Sequence, residues 1–72
     1  MNGKLLLLDS LTAAYRARDF LYRHGYSTTV ERIPANLRKS GCSYGVHVFH
    51  HVEEAVVMLE KSGFHVRDQI EI

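Results

Sequence analysis

Short apolar runs alternate along the chain with stretches in which apolar residues recur at helical spacing, and each change of rhythm falls at a glycine, a proline or a capping residue. Leu5-Leu6-Leu7-Leu8 is apolar without alternation and is closed at once by Asp9, which predicts a central strand covered on both faces or by a helix on one. From Ser10, a good N-cap, the residues Ala13, Ala14, Ala17, Phe20, Leu21 and His24 fall on one side of a helix, and Gly25 follows as its C′ residue. Thr28 to Ile33 is rich in β-branched residues and stops at Pro34, predicting a second strand.

Tyr44 to Phe49 predicts a third strand, with Tyr44, Val46 and Val48 on one face and Gly45, His47 and Phe49 on the other. Val52, Ala55, Val56 and Leu59 share the face of a second helix, whose first turn holds Glu53 and Glu54, where the helix dipole favours carboxylates, and which ends at Gly63. His65 to Ile72 alternates, so Val66, Ile70 and Ile72 are expected together on one side of a closing strand.

The two halves echo each other. Leu21-x-x-x-Gly25-Tyr26 ends the first helix as Leu59-x-x-x-Gly63-Phe64 ends the second. A strand-helix-strand unit written twice predicts an α+β, ferredoxin-like βαββαβ domain: a four-stranded antiparallel sheet with two helices on one face, strands one and three central. The whole chain, 1–72, is read as that single domain.

At 72 residues the core is small, and self-association, with edge strands two and four pairing between copies as a homodimer, would add to it. A composition of 46% hydrophobic and 24% charged residues is that of an ordered globular domain, and a net charge of +1 provides no global electrostatic case for nucleic acid or an anionic membrane. The run at Leu5–Leu8 is too short for a membrane span. One cysteine can form no intramolecular bridge and no CxxC pair, which points to a reducing cytoplasm.

That cysteine, Cys42, lies in Lys39-Ser40-Gly41-Cys42-Ser43-Tyr44-Gly45, within a connection from Pro34 to Ser43 that is long for a hairpin. A thiol with a pKa of about 8.5 becomes a useful nucleophile when positive charge or oriented amides favour the thiolate. From Arg32 to Val46 the chain carries Arg32, Arg38 and Lys39 and no acid. Gly41 and Gly45 would leave the backbone around Cys42 open to an incoming partner, and Gly41 could aim amide groups at the sulfur. The alternative is a cysteine packed as a small hydrophobe, the commoner condition of a free thiol.

The segment Arg32-Ile33-Pro34-Ala35-Asn36-Leu37-Arg38-Lys39-Ser40-Gly41-Cys42-Ser43-Tyr44-Gly45-Val46-His47-Val48 resembles the core of the selenium/sulfur carrier-like family, small domains of otherwise unknown function. The resemblance extends from Leu6 to about Ile70, and its specific part is Pro34, Ser40, Gly41, Cys42, Tyr44 and the strand at Val46. It departs from the family pattern at Ser43, where a glycine is usual, at Gly45, where many members have a second cysteine, and after Pro34, where Ala35 and Asn36 replace a Pro-Arg pair. These departures argue against a two-thiol mechanism.

The resemblance implies a carrier, not an enzyme that turns over by itself. Cys42 would take sulfur or selenium from a donor such as a cysteine desulfurase, hold it as a persulfide or selenosulfide, and pass it to an acceptor enzyme. Arg38 and Lys39 would favour the anion, Ser40 or Ser43 would donate a hydrogen bond to it, and Gly41 would support the thiolate. No cofactor is implied.

Other classes fit less well. His47, His50 and His51 lack the spacing of a four-ligand metal set, and strand geometry points His47 and His50 to opposite faces. Tyr44-Gly45-x-x-x-Phe49 matches part of an RNA-binding strand motif, but Val46 stands at its second aromatic position and leucines fill strand one, so Tyr44 and Phe49 are expected to pack. No phosphate loop, nucleophile elbow or paired carboxylates are present. The runner-up is a non-catalytic module binding a protein or ligand, for which Tyr15 and Tyr22 on the outer side of helix one, near Arg16, Arg18 and Arg23, offer a contact surface.

Overall fold

The computed structural model describes residues 3–37 and 44–71. The elements run β1 (Lys4–Leu7), α1 (Leu11–Arg23), β2 (Thr28–Arg32), a 3-10 turn (Ala35–Leu37), β3 (Tyr44–Val48), α2 (Val52–Lys61) and β4 (Asp68–Glu71). The strands form one sheet in the order β2-β3-β1-β4, with every neighbouring pair antiparallel. This is the ferredoxin-like βαββαβ topology, with β1 and β3 central and β2 and β4 at the edges.

The helices begin and end where local chemistry dictates. Ser10 caps α1, its hydroxyl accepting the Ala13 amide at 3.1 Å, which satisfies one of the free N–H groups of the first turn. At the other end Gly25 takes φ 88°, its amide donating to Tyr22 O and the Tyr26 amide to Leu21 O. α2 repeats this: Gly63 has φ 96°, its amide donates to Glu60 O and the Phe64 amide to Leu59 O. Both are Schellman ends, in which a left-handed glycine lets two otherwise unpaired carbonyls be used. The sequence echo is thus the same stop signal used twice.

Strand alternation divides the apolar residues between two clusters. Leu6, Leu8, Val46 and Val48 meet Ala14, Ala17 and Leu21 of α1 and Ala55, Val56 and Leu59 of α2. Ala14 and Ala17 are fully buried, short side chains that let α1 lie close on the sheet. Burying a leucine such as Leu6 or Leu21 stabilises the fold by about 1.5–3 kcal/mol. On the other face, Leu5, Leu7 and Ile33 form a second cluster with Ile70 against it.

Three expectations need correction. His24 does not join the inward face of α1: the helix ends at Arg23, and His24 is exposed, bonding the Phe20 carbonyl through Nδ1 at 2.8 Å with its ring 4.4 Å from that of Phe20. The closing strand begins at Asp68, not His65. Val66 and Ile70 therefore do not share a side: Val66 belongs to the helix-side core and Ile70 packs on the opposite cluster. Residues ahead of Asp68 follow no pleat, the Arg67 amide reaching Leu7 O at 2.7 Å, so the two-residue alternation does not run through them. Ile72 lies outside the described residues.

Candidate functional site

The connection between β2 and β3 starts from a fixed point. Ile33, one residue past β2, is fully buried with Leu5 and Leu7 of β1. Because β3 stands between β2 and β1, the chain leaving the edge strand turns inward over the second face. The 3-10 turn at Ala35–Leu37 follows. The far end is equally placed, Tyr44 opening β3 in register with Arg32. Arg38, Lys39, Ser40, Gly41, Cys42 and Ser43, the residues expected to form the thiol site, lie outside the described residues.

Gly45 differs from its expected role. It is buried within the sheet, and a Cβ there would stand 2.9 Å from Leu6 O and 3.6 Å from Leu5 Cδ2. The space beside it is filled by β1 and is no opening for a partner.

The strand register creates a polar cluster on the same face. Glu31 of β2 lies opposite Gly45 and Thr29 opposite His47, so Glu31 and His47 meet on the diagonal. Glu31 Oε2 accepts from His47 Nδ1 and from Thr29 Oγ1, each at 2.8 Å. The His47 side chain is 14% exposed, and its ring centroid lies 4.0 Å from that of Phe49. Burial alone would raise the Glu31 carboxyl, but the bonds from His47 and Thr29, with the charge of His47, outweigh it and hold the group below the ordinary carboxylate value. With Glu31 ionised, Nδ1 is the nitrogen that donates. Sequence reasoning missed this pair, because residues 31 and 47 come together only through the register.

His50 and His51 belong to a different neighbourhood. His50 stacks on Tyr26 at 6.0 Å, and its ring lies 5.1 Å from that of His51. The Tyr26 hydroxyl is pushed up by burial first, then by the charge of Glu54 and a hydrogen bond to it. His51 precedes α2 in the left-handed region, with φ 53° and no side-chain cap bond. His47 lies on the other face, as the strand pattern requires. Among the described residues no three His, Cys, Asp or Glu side chains are grouped to hold a metal ion.

Tyr44 and Phe49, expected to pack, are each 36% exposed. They face opposite sides of the sheet, so they form no common platform on which successive bases could stack.

Among the described residues no helix is long and apolar enough to cross a membrane. No protein-family model matches the chain, and no curated protein or solved structure matches it either, so the likeness to the carrier-like family rests on the quoted residues alone.

Proposed function

We propose that the protein is a sulfur or selenium carrier that holds the chalcogen on Cys42. The observation that carries this reading is the setting of the cysteine segment: a stretch with Arg38 and Lys39 and no acid, whose two flanks are buried Ile33 and the paired start of β3 at Tyr44. Glu31, the acid nearest in sequence, is already engaged by His47 and Thr29. Local positive charge favours both the attacking thiolate and the product persulfide anion.

In the loading step the Cys42 thiolate attacks the terminal sulfur of a donor persulfide, such as that of a cysteine desulfurase. A new S–S bond forms on Cys42, the donor's S–S bond breaks, and the donor cysteine leaves as its thiolate. No net oxidation occurs. Transfer to an acceptor enzyme repeats the exchange with Cys42 as leaving group, and a selenosulfide follows the same course. A reducing cytoplasm suits this chemistry, since a lone thiol there stays available.

The test is intact-protein mass spectrometry after incubation with a desulfurase and cysteine or selenocysteine. The wild type gains one chalcogen atom, removable by excess thiol, and Cys42→Ser gains none while keeping its circular dichroism spectrum. Loading of the Ser variant, or none in wild type under conditions that load another carrier, overturns the reading.

A further inference from the structure

α1 buries one side and leaves a second apolar stripe in the open. Leu11, Tyr15 and Tyr22 are 43%, 46% and 75% exposed, and Arg18 lies between them with its guanidinium 5.2 Å from the Tyr15 ring centroid. Positions 11, 15, 18 and 22 recur at the spacing of one helical face. The stripe lies on the flank towards β2: Thr28 Oγ1 donates to Arg18 O at 3.4 Å, and Arg18, Asp19, Tyr22 and Thr28 line a cavity of about 340 Å³. The opposite flank is already occupied, Phe20 meeting Phe64 at 5.8 Å.

The stripe therefore adjoins the outer edge of β2, whose backbone no other described strand pairs. An unpaired edge is a template for another strand, and natural sheets guard such edges with charge. β4 does so with two acids, Asp68 and Glu71, which would repel a second copy of themselves, whereas β2 follows Thr28-Thr29-Val30 with charges of opposite sign, Glu31 and Arg32.

We propose that this face binds a second copy of the chain, β2 pairing antiparallel with β2 about a two-fold axis through Val30. In that register Val30 meets Val30, Thr29 meets Glu31 and Thr28 meets Arg32, so no like charges stand directly opposite and each hydroxyl meets an ion; the two Glu31 carboxylates come diagonally, each held by His47 and Thr29 of its own chain. The helical stripe is self-complementary in the same sense: laid antiparallel, Leu11 meets Tyr22, and Arg18 meets Tyr15 of the other copy, where cation–π attraction applies. One axis serves both layers. Val30 lies about 7 Å along the strand from Thr28 at a rise of ~3.3 Å per residue. The stripe's midpoint lies about 2–8 Å along the helix from the Arg18–Tyr22 level at 1.5 Å per residue. The result is a continuous eight-stranded sheet with paired helices on one face, an isologous contact of the kind that closes a dimer.

Sedimentation equilibrium in reductant, from about 1 µM to about 1 mM, reads the association. The mass rises towards twice that of the chain, and Tyr15→Glu with Tyr22→Glu weakens the dimer by about tenfold or more without changing helix content, as expected for central aromatic contacts. In a Cys42→Ser background, Val30→Cys links covalently on mild oxidation and Thr28→Cys does not. Should Val30→Cys fail to fold, a mixture of Thr29→Cys and Glu31→Cys chains tests the same register, since those positions face each other. A chain monomeric throughout, a dimer indifferent to the tyrosine changes, or equal cross-linking through Thr28→Cys overturns the proposal. A monomer that instead takes up a strand-forming peptide along β2 also overturns it, and assigns the edge to a foreign strand.

Discussion

His47 holds the Glu31 carboxylate across two neighbouring strands through a 2.8 Å hydrogen bond, one diagonal step from direct opposition. A carboxyl whose folded pKa lies below its unfolded value of 4.5 adds stability in full above that value and loses it as pH falls through the folded pKa. The Glu31 contribution is therefore complete at neutral pH. The Glu31 side chain is 42% exposed, so solvent screens the pair and its worth is about 0.2–1 kcal/mol. Melting curves of wild type and Glu31→Gln should differ by that amount at pH 7 and converge as pH falls below about 4.5. A gap that persists into acid would refute the charge assignment.

His51→Gly should stabilise the fold. A non-glycine residue at φ 53° carries a steric penalty that glycine lacks, and the His51 side chain makes no cap bond to lose, so a gain of about 0.5–1 kcal/mol is expected. Urea denaturation measures it. A loss would show that the ring contact with His50 outweighs the backbone.

Gly45→Ala should destabilise by about 1–3 kcal/mol, because its new methyl would stand 2.9 Å from a backbone oxygen of β1 and β1 is held between two strands. At Gly25 and Gly63 nothing lies within 4 Å of a Cβ, so alanine there costs only the left-handed backbone, about 1 kcal/mol. Equal penalties at all three positions would contradict the distinction.

Leu21→Ala should cost about 2–5 kcal/mol, since the Leu21 side chain is fully buried between α1 and the sheet. A loss under 1 kcal/mol by chemical denaturation would mean that the helix-side core collapses into the vacated space.

The elements were legible because their signals are local. Ser10, Gly25 and Gly63 act within a turn of where they stand, and the alternation of Val46 and Val48 assigns a face without reference to any other strand. What sequence reading missed was non-local. Glu31 and His47 need the β2–β3 register to meet, and Gly45 looked like an opening until β1 was placed beside it. Val66 misled because apolar alternation continues through residues that hydrogen-bond without a pleat. Cys42 and its basic neighbours were legible as chemistry, and residues 38–43 lie outside the described ones.

Lys4 of β1 stands in register with Glu71 of β4. The polypeptide thus enters and leaves the sheet at one spot, a strand spacing of about 5 Å apart. A domain with such a doorway can be spliced into a surface loop of a host protein, or closed into a ring through a short linker, without stretching its own sheet. Force applied through those two ends would also meet β1 and β4 as a zipper, parting hydrogen bonds one after another instead of shearing them together.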